Sequence, residues 1–285
     1  MNESLQKLKA EQFKKLHHQS EILVLPNIWD PLGAAMLENL GYAAVATASA
    51  SIAWTNGYHD GEHIPFSDVL TRLKNIVIST GLPVTADIES GYARSEKELR
   101  ENIEKLITAG IVGINLEDHD KQTDSLYSVA TQCKRIRAVR EVAEAMGVPL
   151  FINARTDVYL RPKNFPTAAN KVDETLNRGK AYLDVGADGL FPPGMNDKDE
   201  LAKVVATLQC PVNVIALRGI PNFKTLKEIG VARVSLGPGL LKIAFKAMKD
   251  LATKIKNYEG LDEVTDNDVS SEDLKKLIVQ AVLKS

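Results

Sequence analysis

Cysteine is scarce in this chain: Cys133 and Cys210 are the two in 285 residues. Two thiols cannot build a disulfide framework, and no Cys-x-x-Cys pair is present for zinc or redox chemistry. Both are expected to be reduced, as in a cytoplasmic protein. An excess of charge is also missing. Lys and Arg number 35 against 37 Asp and Glu, a formal net charge of −2. That balance leaves no electrostatic footprint for nucleic acid or an anionic membrane. No apolar run reaches the roughly 18 residues of a membrane span. The first twenty residues, MNESLQKLKAEQFKKLHHQS, are charged throughout, so no signal peptide is expected. With 44% hydrophobic and 25% charged residues, the composition is that of a globular protein rather than a disordered one.

Eight short apolar runs recur along the chain: 22–26, 43–49, 83–89, 112–118, 149–156, 188–194, 211–217 and 232–239. Each has the length of a buried parallel strand and shows little alternation. Longer amphipathic stretches separate them. SEKELRENIEKLITAG (95–110) opens with a Ser-x-x-Glu capping box, and the helices 95–110, 133–147 and 171–186 each close on glycine. Eight β–α repeats in a chain of this length predict an α/β fold, a closed (β/α)8 TIM barrel. A doubly wound open sheet would need a nucleotide-type glycine loop after the first strand, where the chain reads PNIWDPLGAA. The barrel is expected over residues 1–257, opened by an amphipathic helix whose Leu5, Leu8, Phe13 and Leu16 face the body. Residues 258–285 read as an acidic linker (258–270) and a C-terminal extension helix with Leu274, Leu277, Ile278 and Val282 on one face. Periodicity leaves open whether that face packs on its own barrel or on a neighbouring subunit.

Barrel chemistry sits at the C-terminal ends of the strands, and there the acids collect. Asp87 and Glu89 end the third strand, Glu117 and Asp118 the fourth, Arg155 and Asp157 the fifth, and Asp60 and Glu62 follow the second. Carboxylates after buried apolar strands are costly unless paired, hydrated or bound to metal. An all-oxygen set suits Mg²⁺, and Arg155 offers a planar fork for a substrate carboxylate or phosphonate. The plainer reading is an ion-pair network at the barrel rim. Zinc fits less well, because His59 and His63 flank the turn Asp60-Gly61 and His119 stands apart. His17 and His18 read as surface residues of the first helix. Small residues in SLGPG (235–239) form either a phosphate-binding turn or a plain βα turn.

The segments PVTADIESGYA (83–93), GINLEDHD (113–120), INARTDVYL (152–160), GADGLFPPG (186–194) and VARVSLGPG (231–239), in this order on successive strands, resemble the isocitrate lyase/phosphoenolpyruvate mutase superfamily from about Leu25 to about Ala247. The resemblance implies a barrel, Mg²⁺ and an enolate-like intermediate of a small 2-oxo acid. It implies that Asp87 binds metal directly, while Asp60, Glu89 and Glu117 hold metal-bound water. It implies that Arg155 contacts the substrate and that Thr47, Ala48, Ser49 and Ser51 receive its carboxylate. The lyase loop Lys-Lys-Cys-Gly-His is replaced by HDKQTDSLYSV (119–129). There Lys121 and Asp124 stand near the lysine and asparagine of the mutase gating loop, with Pro193 where the mutase has histidine. Glu117, Arg155, Lys121 and Asp124 are therefore the candidate catalytic residues. The expected activity is Mg²⁺-dependent cleavage of a C–C bond, the alternatives being mutase-type P–C chemistry or a non-catalytic oxo-acid-binding barrel. The resemblance also implies an exchanged C-terminal helix and a homodimer or homotetramer.

Overall fold

The computed structural model describes residues 3–161, 165 and 167–282. The eight apolar runs form eight strands: β1 (Leu23–Leu25, resuming at Asn27–Ile28), β2 (Val45–Thr47), β3 (Val84–Asp87), β4 (Gly113–Glu117), β5 (Phe151–Arg155), β6 (Gly189–Phe191), β7 (Asn213–Ile215) and β8 (Arg233–Ser235). All neighbouring pairs are parallel. A single bridge, Leu190 with Val212, joins β6 to β7, and β1 closes the ring. Its first half pairs with β8 and its second half with β2. Pro26 stands at the changeover, where a residue without an N–H cannot continue a ladder. The expected (β/α)8 barrel is what forms.

Helices alternate with the strands: α1 (Glu3–Leu16), α2 (Pro31–Asn39), α3 (Ser49–Thr55), α4 (Phe66–Ile78), α5 (Glu96–Thr108), α6 (Val129–Ala145), α7 (Ala168–Asp184), α8 (Lys198–Leu208), α9 (Phe223–Ile229) and α10 (Gly239–Lys256). The Ser-x-x-Glu sequence caps α5, its glutamate reaching one residue beyond the N-cap. Ser95 Oγ accepts from Glu98 N at 3.2 Å, and Glu98 Oε2 accepts from Arg94 N at 2.8 Å. Gly110, Gly147 and Gly186 end their helices at positive φ, the left-handed conformation that costs glycine least.

α1 departs from expectation. Its buried face is Gln6, Lys9, Ala10 and Phe13, while Leu5 and Leu8 are 46% and 59% exposed. On this face Gln6 Nε2 donates to the carbonyls of Ile107 and Ile111 at 2.7 and 3.2 Å, the first of which lies in the last turn of α5. Phe13 lies under β4, where a Cβ on Gly113 would come within 2.6 Å of its ring. His17, expected at the surface, is instead buried and stacks on Phe151 with centroids 3.9 Å apart; His18 is exposed.

The acidic linker holds a short helix, α11 (Leu261–Thr265), and α12 (Ser271–Val282) follows. α12 runs beside α2 of the same chain, with Leu274 and Ile278 still 37% and 55% exposed. The side chain of Val282 lies outside the described residues. Among the described residues no helix is long and apolar enough to cross a membrane.

Candidate active site

The strand ends open on a cavity of about 190 Å³. Its polar side is made by Asn27, Ser49, Asp60, Asp87, Asn115, Arg155 and Ser235. Asp87, at the end of β3, is held from β2 and α3. Its backbone N donates to Thr47 Oγ1 at 3.2 Å, and its Oδ2 accepts from Ser49 Oγ at 2.9 Å. Oδ1 of Asp87 is buried without a hydrogen-bond partner. Asp60 reaches the cavity from the loop after α3. Partial desolvation, then the charge of Asp87, pushes its carboxyl above the usual range, against Lys121 and Arg155. An acid raised by its neighbour's charge, beside a carboxylate with an orphaned oxygen, fits a hard cation with oxygen ligands.

Glu117 and Glu89 stand behind this wall. Glu117 Oε2 lies 2.9 Å from Arg155 Nη1, and its Oε1 lies 2.5 Å from Lys121 Nζ. Burial disfavours its charge, but Arg155, His119 and Lys121 together outweigh burial and hold the carboxyl below its ordinary range. Glu89 adopts φ 51°, so the chain is not extended there and the two-residue spacing does not aim it with Asp87. Its Oε1 accepts from Glu62 N at 3.0 Å and from the Tyr92 hydroxyl at 3.1 Å, and its Oε2 lies 3.0 Å from Lys121 Nζ. Burial pushes Glu89 up to about 7 despite the lysine. Lys121, desolvated but flanked by both acids, is raised above its ordinary value. It is a fixed positive charge rather than a base at neutral pH.

Arg155 spans two acids. Besides Glu117, it donates from Nε to Asp157 Oδ1 at 2.7 Å and from Nη2 to Asp157 Oδ2 at 3.0 Å. Glu117, His119 and Asp157 converge closely enough to hold a metal, but the guanidinium already bridges the two carboxylates, so a cation there would face a cation. Asp118, next to Glu117, turns the opposite way. It accepts from Arg178 Nη1 and the Tyr182 hydroxyl at 3.0 and 2.8 Å and ties β4 to α7.

Not every candidate meets the cavity. Ala48 and Ser49 line it. Thr47 supports Asp87 from beneath, and Ser51 is fully buried. Asp124 lies on a hairpin made by His119–Asp120 and Ser125–Leu126, its side chain 81% exposed. It pairs with His119 Nε2 at 3.1 Å and with Arg161, away from the cavity lining. The turn after β8 has no open anion cradle, because Leu236 N and Gly237 N both donate to Asn27 Oδ1, at 2.8 and 2.9 Å. His59 and His63 are exposed, with ring centroids 6.1 Å apart. Sequence reasoning missed Asn27 and Asn115. Asn115 was within reach of it, since period-two alternation puts it on the same side of β4 as Glu117. Missed too was the wall of Trp54, Leu160, Phe191, Pro193, Ile215 and Leu217.

Residues 13–256 match the family model described as phosphoenolpyruvate phosphomutase. An uncharacterised protein of Mycobacterium tuberculosis is 34% identical over 230 residues, covering 79% of this chain and 81% of its own. A solved structure from Burkholderia cenocepacia, provisionally named a phosphonomutase, is 40% identical, covers 87% of this chain and 99% of its own, and superposes with a TM-score of 0.80. The 2-methylisocitrate lyase of Bacillus subtilis is 23% identical over 277 residues, 92% of this chain and 88% of its own. Further relatives carry the names 2,3-dimethylmalate lyase and oxaloacetate decarboxylase. The chain thus belongs to the phosphoenolpyruvate phosphomutase family and is an enzyme of the isocitrate lyase/phosphoenolpyruvate mutase superfamily, a group of lyases and mutases.

Proposed function

We propose that this enzyme is a Mg²⁺-dependent lyase that cleaves a C–C bond in a small 2-oxo acid or its hydroxy-acid adduct. The observation that carries the reading is Asp87, whose buried Oδ1 has no partner while Ser49 fixes its other oxygen. Asp87 would hold the cation directly, with Asp60 beside it and Glu89 and Glu117 behind it, neutralised by Lys121 and Arg155. When bound, Mg²⁺ supplies Lewis-acid stabilisation of negative charge on the substrate's oxo and carboxylate oxygens.

The chain's own residues supply the rest. Arg155, its fork set by Glu117 and Asp157, orients the substrate and faces the oxyanion as charge develops. Because its partners are already in place, little reorganisation accompanies the reaction. Lys121 keeps the charges of Glu89 and Glu117 compensated as water leaves. The apolar wall and the 119–126 hairpin exclude water, which would otherwise quench an enolate. The names of the lyase and decarboxylase relatives support this chemistry. A mutase-type gate is disfavoured by the engagement of Asp124 with Arg161 and His119.

The same proposal includes a homodimer or homotetramer. α10 buries none of its residues, and Ile243, Phe245 and Met248 are 68%, 64% and 69% exposed. A partner's C-terminal segment is the proposed cover. For the site, the test is Asp87→Ala, which should fold and yet lose Mg²⁺-dependent binding of oxalate in calorimetry. Unchanged Mg²⁺ affinity in that variant refutes the assignment.

A further inference from the structure

The cavity is chemically lopsided. Around the ring, Ser49, Asp87, Asn115 and Arg155 line it from the segments β2 to β5, with Asp60 beside them, whereas Phe191, Pro193, Ile215 and Leu217 line it from β6 and β7. Among the described lining residues Arg155 is the sole cation. Its Nε and Nη2 donate to Asp157 and its Nη1 is paired with Glu117, so only its remaining N–H groups can meet a substrate. The cavity, about 190 Å³, also falls below the roughly 300–1,000 Å³ of sites for drug-sized ligands.

Those features limit the charge a substrate can carry. One carboxylate can sit at the proposed cation and a second at Arg155. A further anionic group would be pressed against Leu217, Ile215 and Phe191, whose side chains carry no donor to compensate its lost water. An alkyl group there gains from burial instead. The wall is not incidental to the fold. Ile215 and Phe191 are the last residues of β7 and β6, in the positions from which a barrel usually presents polar site residues.

Resting on the lyase reading above, we infer that the substrate is an alkyl-bearing 2-oxo or 2-hydroxy acid with one or two carboxylates at the reacting end. Tricarboxylates, and acids with a charged distal end, are rejected by the apolar wall. Leu217, 42% exposed at the cavity mouth, is the specificity-determining position most open to change.

The full-length protein with Mg²⁺ tests this by calorimetry with three probes. Oxalate reports on the metal and arginine end alone. 2-Oxopentanoate and 2-oxoglutarate share that end and differ in a distal methyl against a distal carboxylate. The inference expects 2-oxopentanoate to bind about tenfold or more tightly than 2-oxoglutarate, the scale of discrimination that one group in an apolar pocket supplies. Leu217→Arg should narrow or reverse that order. If oxalate binds and 2-oxoglutarate matches or exceeds 2-oxopentanoate, the inference is wrong and the lyase reading stands. If oxalate fails to bind with Mg²⁺, the lyase reading falls and takes the inference with it.

Discussion

Mild acid should loosen this barrel through a histidine far from the chemistry. His17 stacks on Phe151 at an interplanar angle of 16° and meets Phe13 edge-on, with centroids 4.7 Å apart. Its Nδ1 lies 2.8 Å from Phe13 O, which places the neutral ring's proton on Nδ1. Nε2 is buried without a partner. Burial, then the charge of Arg233, opposes protonation, the Phe13 carbonyl partly offsets them, and His18 adds a smaller repulsion; the pKa falls to about 3. In the unfolded chain it returns to about 6.5. Between these values the unfolded state takes up a proton that the folded state refuses. Stability is therefore complete above about pH 6.5 and declines as pH falls, by about 1.4 kcal/mol per unit. From about pH 7 to about pH 4.5 the loss is about 2–3 kcal/mol, a large share of the roughly 5–15 kcal/mol that holds a domain together. His17→Phe keeps an aromatic ring on Phe151 and removes the titration. Urea denaturation of both proteins across that range isolates His17, because the carboxylates contribute equally to each. The wild type should lose about 2–3 kcal/mol more than the variant. Parallel pH profiles would refute the reasoning.

Three further outcomes follow from the structure. Arg233 is 1% exposed, bonded through Nε to Ser235 Oγ at 3.2 Å, with Nη1 and Nη2 lacking partners. Arg233→Met should leave urea stability unchanged or raise it by about 1–4 kcal/mol, and a clear loss would mean that the guanidinium is structural. The 119–126 hairpin, joined to the body by Lys121 and by the pairing of Asp124 with Arg161, should exchange its amide hydrogens more slowly when Mg²⁺ and oxalate are bound. Equal protection in both states argues against a gate. Deleting 258–285 should lower the mass per particle in light scattering, and a full-length protein that is already monomeric at micromolar concentration refutes helix exchange.

The barrel was legible because its evidence is local. Uninterrupted apolar runs, a Ser-x-x-Glu box before α5 and glycines after Thr108, Ala145 and Asp184 report strand and helix one segment at a time, and repetition did the rest. The acids at strand ends were legible as well, since the closed barrel brings all eight strand ends to one rim. What a side chain does there depends on partners distant in sequence. Asp87 faces the cavity with a free oxygen, whereas Glu89, two residues on, turns through a positive φ to meet Lys121. Asp124 looked like a loop residue of the site until Arg161 claimed it. The SLGPG turn could have held an anion, but Asn27, some 210 residues earlier, occupies its amides. Hydrophobicity alone placed Phe13 and Leu16 of α1 on the body but not Gln6, which donates to the carbonyls of Ile107 and Ile111 while Leu5 and Leu8 stay exposed. Composition and periodicity determined the elements and their order. Closure of the ring decided which polar atoms found partners, because hydrogen bonds and ion pairs act over about 3 Å and no local pattern encodes which residues the fold will bring that close.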